Sequence, residues 1–149
     1  MKNFIYTLLF FISILISNAQ CPAGTSSSCD GSGTPLDLYW VGTTINNSGN
    51  WNSPCSWRVG STAGVEPCQA PRSIDNVFFT NPSFSGNSGT GARININTIA
   101  LCNNFYVDPL VNSLIGTPTF SLSNPAIVEI YGSLTLQNNL TWTTVGGPA

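Results

Sequence analysis

Apolar and polar residues alternate over several short stretches in the second half of the chain. In the first stretch, residues 94–97, two isoleucines alternate with two asparagines. The pattern returns at residues 105–107, 120–122, 128–130, 134–136 and 140–142. Alternation with a period of two is typical of a strand that buries one face and exposes the other. The second half is therefore predicted to consist of short β-strands.

Short polar steps at Gly132-Ser133 and Asn138-Asn139 separate the last three of these strands. In a parallel β-helix the steps are corners, and each apolar pair points into a shared core. In an antiparallel meander the steps are hairpin turns, which Asn and Gly also suit. The predicted fold class is therefore all-β. The two architectures are the start of a parallel β-helix or stacked-strand solenoid and, as the alternative, an antiparallel β-sandwich or meander.

The first half of the chain combines large aromatic residues with Gly, Asn, Ser and Pro. This mixture predicts a few anchors that pin short strands, at residues 38–41 and 77–79, between polar turns. Residues 80–91 are predicted to form a loop with Phe84 as its aromatic plug. No segment has a long helical period, because Gly, Pro or Asn interrupts nearly every window.

Trp40, Trp51 and Trp57 admit two interpretations. In the first, they are core anchors among sparse apolar residues. In the second, they are exposed and serve as glycan contacts of a carbohydrate-binding module. The exposure of the three indole rings separates these interpretations.

The leader, residues 1–19, has the features of a secretory signal peptide. Lys2 supplies the basic start, an apolar run extends over residues 4–16, and small residues stand around a cleavage point before Gln20. The apolar run is shorter than the ~20 residues that span a bilayer comfortably. An uncleaved membrane anchor and lipid attachment at Cys21 are the alternatives.

After export and signal cleavage, the mature chain is expected to have two parts. Residues 20–36 are a Ser/Gly-rich lead-in with almost no core material, and residues 37–149 are a β-rich module. We expect a secreted protein, or one on the outer cell surface, with no membrane contact after signal cleavage. The chain reaches Ala149 without a clear cap, so residues 37–149 are expected to be the N-terminal part of a longer protein.

Charge is scarce and slightly acidic. Removing Lys2 leaves three arginines against six acidic residues, a net charge of −3. No basic patch is available to neutralise phosphates, so nucleic acid is excluded as an expected partner. The chain has no His, which removes Ser/His/Asp chemistry.

The acidic residues of the β-rich module with a candidate role are dispersed along the chain: Asp37, Asp75, Asp108 and Glu129. Paired-carboxylate hydrolysis and calcium binding both need carboxylates placed together. Asp75 stands before Asn76 and is predicted to form a turn by bonding nearby backbone amides. We therefore expect no enzyme, no catalytic residue, no cofactor and no metal site.

Five cysteines agree with an oxidising compartment. Cys21 and Cys29 bracket one loop, and Cys55 and Cys68 bracket another. These local pairings close the shortest loops, although sequence leaves the connectivity of the disulfides open. Cys102 is expected to pack as a small apolar side chain. Zinc is disfavoured, because the chain has no His and no Cys-x-x-Cys pair.

A group of motifs spread over residues 38–142 carries a family resemblance. In chain order they are Tyr39-Trp40-Val41-Gly42, Gly49-Asn50-Trp51, Trp57, Asp75-Asn76-Val77-Phe78-Phe79, Ser83-Phe84, Ile94-Asn95-Ile96, Cys102 and Ile130-Tyr131-Gly132-Ser133-Leu134-Thr135-Leu136. They resemble a module near the start of large secreted or surface proteins of Bacteroidota. More loosely, they resemble strand repeats of autotransporter passenger domains, which form β-helices. The family often has a His where this chain has Ser56, and the Cys55 and Cys68 loop is local to this chain.

The resemblance implies type IX export and an adhesin-like or gliding-motility-associated role, and it brings no catalytic residues. The expected function is a non-enzymatic structural or adhesive module. The alternatives are a carbohydrate-binding module with exposed tryptophans and the N-terminal part of a β-helical polysaccharide-degrading enzyme. The expected partners are further domains of the same longer chain and surface glycans.

Overall fold

The computed structural model describes residues 33–44, 46–84, 92–108, 118–136 and 140–145. The predicted signal peptide, Cys21, Cys29 and most of the lead-in lie outside these residues. The described part contains eleven β-strands. Their bounds are β1 Asp37–Trp40, β2 Gly49–Asn50, β3 Trp57–Val59, β4 Asn76–Phe79, β5 Arg93–Ile96, β6 Ile99–Cys102, β7 Phe105–Val107, β8 Thr119–Ser123, β9 Ile127–Ile130, β10 Leu134–Thr135 and β11 Thr141–Val145. Two short 3₁₀ turns, Pro54–Ser56 and Asn81–Phe84, complete the described elements.

The strands form three sheets. Sheet A has the order β10-β7-β4-β1-β3, sheet B the order β11-β8-β5-β2, and sheet C pairs β6 with β9. Every pairing is parallel except that of β1 with β3. Parallel pairing requires each connection to return to the same end of the sheet. Here the chain returns by passing through the other sheets.

The strands from β4 onward visit the three sheets in a recurring order. β4, β5 and β6 lie in sheets A, B and C, and β7, β8 and β9 repeat that order. β10 and β11 then return to sheets A and B. Each strand therefore pairs with the strand that holds the same place in the neighbouring circuit.

Side chains alternate between the inside and the outside along each strand, because successive residues of a strand point to opposite faces. In sheet A, Val77 pairs with Phe105, and Phe105 pairs with Leu134. In sheet B, Phe120 pairs with Ile94 on one side and with Trp142 on the other. These register partners form apolar rows that run through the stack.

The core is rich in aromatic rings. Phe79 lies at its centre, and its ring contacts those of Trp40, Trp51, Trp57, Phe84, Phe105 and Phe120. Two of these pairs are edge-on, Phe79 with Trp57 at 5.6 Å and 68° and Phe79 with Phe120 at 5.1 Å and 79°. Edge-on contacts suit the charge distribution of aromatic rings. Phe84, the predicted aromatic plug of residues 80–91, is buried, and residues 85–91 of that predicted loop lie outside the described residues.

One end of the stack is closed by the chain itself. β3 runs antiparallel to β1 and forms the edge of sheet A, with Trp57 opposite Trp40. The loop after β3 folds back over that edge, and Val59 N–H donates to the Val65 carbonyl at 2.9 Å. The Ser56 hydroxyl donates to the Asn50 carbonyl of β2 at 2.9 Å, which holds the same segment against sheet B. We call this end the N-terminal cap, residues 53–65.

The all-β prediction is confirmed in its coarse form, with sheets of parallel strands. The antiparallel alternative is wrong for the last three strands, since β9, β10 and β11 lie in three different sheets. The step at Gly132-Ser133 is therefore a corner between sheets and not a hairpin turn, whereas Asn138-Asn139 lies outside the described residues. β6 was not predicted from alternation, because all four of its residues, 99–102, are apolar.

Candidate functional site

The three tryptophans of the first half are fully buried. Trp40, Trp51 and Trp57 each have 0% exposure. The indole N–H of Trp40 donates to the Asn47 carbonyl, and that of Trp57 donates to the Trp51 carbonyl, both at 2.8 Å. These positions confirm that they are core anchors. Because sugar stacking needs an accessible ring face, the structure does not place any of the three as a glycan contact.

Trp51 differs from its two neighbours in one respect. Its indole Nε1 is buried and has no hydrogen-bond partner among the described residues. Its ring packs edge-on against Trp57 at 5.0 Å and stacks on Phe105 at 6.0 Å. A buried donor without a partner costs free energy, so packing must outweigh that cost at this position.

Asp75 is a structural residue. It is 1% exposed, and its carboxylate accepts hydrogen bonds from the backbone N–H groups of Leu36 and Arg72, both at 2.9 Å. The Arg72 guanidinium adds two more bonds, from Nε at 2.9 Å and from Nη2 at 2.8 Å. The bond to the nearby Arg72 amide confirms the prediction that Asp75 forms a turn.

The Asp75 carboxylate also determines the state of Arg72. The hydrogen bond to Asp75 is the largest influence and raises the pKa of Arg72; burial lowers this pKa by less, and the negative charge of Asp75 raises it further. Arg72 Nη2 further donates to the Thr34 carbonyl at 2.8 Å. The ion pair therefore ties the segment before β1 to the turn before β4.

The remaining candidate carboxylates lie at separate places in the sheets. Asp37 accepts a bond from the Asn76 side chain at 2.8 Å. Glu129 accepts one from the Tyr131 hydroxyl at 2.9 Å, and this bond raises the pKa of Tyr131. Asp108 follows β7, where its backbone N–H donates to the Phe79 carbonyl at 2.8 Å. Within the described ranges, no group of three or more His, Cys, Asp or Glu residues could hold a metal ion.

A column of polar side chains runs along the corners where the chain enters sheet A. The Asn104 amide donates to the Asn76 side-chain oxygen at 2.8 Å, and Asn76 donates to Asp37. Ser133 N–H then donates to the Asn104 side-chain oxygen at 2.7 Å. We call this set of residues the amide column. It links four neighbouring strands of sheet A, β1, β4, β7 and β10, by two bonds between side chains and one bond from the Ser133 backbone N–H.

Gly132 lies against the amide column so closely that only glycine fits. A Cβ at this position would lie 2.5 Å from the Asn104 side-chain oxygen and 2.7 Å from that of Asn103. Real Cβ contacts essentially never come this close. The Gly132 N–H donates to the Asn103 carbonyl at 2.7 Å. The corner before β10 is therefore fitted tightly to the corner before β7.

A column of aromatic rings lies beside the amide column, on the outer face of sheet A. Tyr39 and Phe78 are register partners with ring centroids 4.8 Å apart and an angle of 14° between the rings. Phe78 and Tyr106 are the next partners, at 5.8 Å and 53°. We call these three residues the outer aromatic column. Arg58 of β3 is paired with Tyr39 at one end of it, and Thr135 of β10 with Tyr106 at the other.

In the sequence, Tyr39 and Phe78 belong to the aromatic motifs of the first half and are not distinguished there from the buried aromatic residues beside them. Their position in the strands is the signal that could have identified them as outward-facing residues. Each precedes a buried aromatic residue, Trp40 or Phe79, so the period of two places it on the opposite face. Their alignment across strands depends on register between residues 39 positions apart in sequence, which a local pattern does not contain.

The end of the stack opposite the N-terminal cap is apolar and exposed. Leu134 is 52% exposed, Leu136 44% and Trp142 41%. One face of the Trp142 ring stacks on Phe120 at 4.5 Å and 19°. We call the side chains of Leu134, Leu136 and Trp142, together with the outer edges of β10 and β11, the C-terminal end surface.

A recess of about 250 Å³ lies at one side of this end surface. Its lining comes from the turn between β8 and β9 and from the end of β11. The lining residues are Leu122, Ser123, Asn124, Pro125, Ala126, Thr144 and Val145. None of these side chains carries a charge, and Ser123, Asn124 and Thr144 are the polar residues among them.

The cysteines fall into two groups. Cys102 is a buried free thiol, and burial raises its pKa to about 12. This confirms that it packs as a small apolar side chain. Cys55 and Cys68 are in the disulfide-bonded state, and their pairing with each other stays a prediction. Cys21 and Cys29 lie outside the described residues.

In the part of the chain that the structure describes, no helix has the length and apolar character needed to cross a bilayer. A scan against protein-family models, a search of curated proteins and a search of solved structures found no match to this chain.

Proposed function

We propose that this chain folds as a parallel β-helix and serves as a non-enzymatic structural or adhesive module of a secreted or surface-exposed bacterial protein. The observation that carries the proposal is the recurring passage of the chain through sheets A, B and C with parallel pairing between circuits. A stack of this kind is a solenoid, in which each circuit is stabilised by its neighbours. Such a stack gives a stiff body and a long regular surface.

Two features of the side chains support the solenoid. Apolar register partners fill the interior from one circuit to the next, as Ile94, Phe120 and Trp142 do in sheet B. The amide column places a polar contact to a side-chain oxygen at each of the successive corners of sheet A. Repeated contacts at a fixed register indicate that the circuits are equivalent units of one stack.

The described polar groups favour a scaffold over a catalyst. The four acidic residues considered as acid/base candidates lie on different elements, and the buried one, Asp75, is fully engaged with Arg72 and backbone amides. The Arg58 side chain of the N-terminal cap forms an ion pair of 3.8 Å with Glu66, the residue that follows the cap. These charges connect segments of the chain to one another.

Carbohydrate binding is the second candidate function, and the outer aromatic column favours it. Tyr39, Phe78 and Tyr106 are only partly buried, and they lie in a row on an outer face of sheet A beside the amide column. Aromatic rings beside neutral hydrogen-bonding groups match the apolar faces and hydroxyl groups of sugars. Tyr39 and Phe78 stack on each other, however, so Tyr106 is the ring best placed to contact a glycan.

The test compares location, attachment and growth in the source organism. We expect a tagged protein to be labelled on intact cells or recovered from the medium. Deletion should impair surface attachment while growth on polysaccharides is unchanged. A growth defect on one polysaccharide with normal attachment would support a degradative enzyme and overturn the proposal. Retention of the tagged protein inside the cell would overturn it as well.

A glycan array with the purified protein separates the two candidates. A scaffold should bind no glycan above background. If glycan binding is observed and is lost in Tyr106→Ala, while Val65→Ala at the N-terminal cap binds normally, the carbohydrate-binding function replaces the structural one. Val65 is a suitable control because its side chain is 53% exposed at the opposite end of the stack.

A further inference from the structure

We infer that the C-terminal end surface is a docking surface for one further coil of parallel strands, carried by polypeptide that continues this stack. This inference rests on the proposed β-helix and names the partner of its open end. The coil would add one strand to β10 and one to β11, and would place apolar side chains over Leu134 and Trp142.

The first argument is the position of the exposed side chains. Leu134 has the same register as Phe105 in sheet A, and Trp142 the same register as Phe120 in sheet B. Phe105 and Phe120 are 0% exposed, whereas Leu134 and Trp142 are 52% and 41% exposed. The inner residues are covered by the circuit that follows them. A further circuit in the same register would cover Leu134 and Trp142 in the same way.

The second argument is that the outer edges of β10 and β11 are open among the described residues. β11 has five residues, and all five pair with β8 on one side. Among the described residues β11 is the last strand of sheet B, and β10 is the last of sheet A. From Tyr131 to Ala149 the sequence has no charged residue. Exposed edges are commonly protected by charges, Pro or bulges, and β11 contains neither charge nor Pro.

The third argument decides between a continuing coil and a second copy of the chain. Every circuit-to-circuit pairing after β3 is parallel. A second copy could continue that pairing only through its N-terminal cap, and there the antiparallel β3 already occupies the edge of sheet A. Two C-terminal end surfaces could meet only with antiparallel strands. The parallel register therefore favours a coil that follows Val145 over a second copy.

The experiment supplies such a coil. Residue Val145 has the same register as Ser123, and residues 124–145 follow Ser123 through sheets C, A and B. A second copy of residues 124–145 is joined directly after Val145, and this appended copy carries Trp142→Phe. A matched control carries Leu134→Lys in addition, in the appended copy alone. Charge at that inward position should prevent docking of the appended coil.

Acrylamide quenching provides the first measurement, because Trp40, Trp51 and Trp57 are fully buried and Trp142 is exposed. We expect the quenchable fraction of tryptophan fluorescence to fall severalfold in the extended protein and to stay at the parent level in the control. Amide hydrogen exchange in β11 should slow in the same protein. Unchanged quenching and unchanged exchange in the extended protein would overturn the inference.

Three further outcomes are informative. If the parent chain forms dimers in which β11 amides are already protected, a second copy is the occupant and the inference is wrong. If β11 stays unprotected in the extended protein while exchange in β4 to β9 is slow, the inference fails and the proposed scaffold stands. If β4 to β9 exchange rapidly in the parent chain, the proposed β-helix itself fails.

Discussion

Asp75 and Arg72 form a partly buried ion pair in which both carboxylate oxygens are engaged by the same arginine side chain. The two residues are three positions apart, and the Asp75 side chain is 1% exposed. The pair reaches outside its own turn, through Asp75 to the Leu36 amide and through Arg72 to the Thr34 carbonyl. It thereby fastens the first described segment of the chain to the corner before β4.

Replacement of Asp75 by Asn should destabilise the fold strongly. The change removes the charge that Arg72 faces and replaces an acceptor oxygen by a donor amide opposite N–H groups. Breaking a buried pair by removing one partner costs about 3–5 kcal/mol. Because Arg72 is 24% exposed and partly screened by solvent, we expect a value at the low end, measured by denaturant unfolding.

The matched control is Glu66→Gln. Glu66 pairs with Arg58 at 3.8 Å, and both side chains are more exposed than Asp75. Pairs of this kind contribute less than about 1 kcal/mol. Equal losses in Asp75→Asn and Glu66→Gln would show that the Asp75 pair adds nothing beyond an ordinary surface pair.

The two inner tryptophans should differ in their response to Phe. Trp57→Phe removes the bond to the Trp51 carbonyl, whereas Trp51→Phe removes a donor without a partner among the described residues. Both variants lose similar ring volume. Trp57→Phe should therefore be the less stable variant, by about 1 kcal/mol, the typical net value of one hydrogen bond. Thermal or denaturant unfolding of both variants measures the difference.

The Ala variants of the same residues show how much stability each whole indole ring contributes. Trp51→Ala and Trp57→Ala should each cost about 3–5 kcal/mol, because they leave large cavities in the core. A folded Ala variant with near-parental stability would contradict the anchor role of that tryptophan.

Gly132→Ala should destabilise the corner between β9 and β10. The new Cβ would clash with the Asn104 side-chain oxygen at 2.5 Å, and overpacking of this kind costs about 1–3 kcal/mol. The double variant with Asn104→Ala isolates the clash, because the cost of Gly132→Ala should be smaller when the Asn104 amide is absent. Additive costs in the double variant would show that the amide column does not limit this corner.

Sequence and structure agree best where local alternation decides the outcome. Residues 94–97 and 105–107 were predicted as strands, and β5 and β7 lie there with alternate residues buried. The period of two determines which face of the strand each side chain takes, so Ile94 and Ile96 could be placed in the core. The period does not determine which strands are neighbours in a sheet. For that reason an antiparallel meander was compatible with the same residues.

For the same reason, neither the outer aromatic column nor the amide column could be predicted from the sequence. Asn76 and Asn104 are 28 positions apart, and their contact exists only because β4 and β7 share a sheet in one register. Long-range register is a property of the folded stack. The burial of Trp51 and Trp57 agrees with the core-anchor interpretation, one of the two that the sequence left open.

Cys102 should resist alkylation in the folded protein. The thiolate is the reactive form, and burial raises the pKa of Cys102 to about 12, so almost no thiolate exists near neutral pH. A thiol reagent should modify it only after the protein unfolds in denaturant. Rapid alkylation of folded protein, located at Cys102 by peptide mapping, would contradict its burial.

The same raised pKa predicts a loss of stability in alkali. Below pH 9 Cys102 is protonated in both states and its titration has no effect on stability. Above the ordinary thiol pKa of 9.0 the unfolded chain releases the proton while the folded protein retains it, so stability falls as pH rises toward about 12. Cys102→Ala should remove this part of the alkaline loss. A parental slope in the variant would assign the loss to other groups.

Cys55 and Cys68 are predicted to be joined to each other. Both are in the disulfide-bonded state, and they bracket the part of the N-terminal cap that folds back on β3 through Val59 and Val65. A crosslink over a loop of this size stabilises by about 3 kcal/mol, chiefly by restricting the unfolded chain. Non-reducing peptide mapping should find one linked peptide pair that contains Cys55 and Cys68. Cys55→Ser combined with Cys68→Ser should lower stability by a similar amount, whereas Cys102→Ala leaves the linked pair intact. Free thiols at both positions, or a link from either one to Cys21 or Cys29, would contradict the pairing.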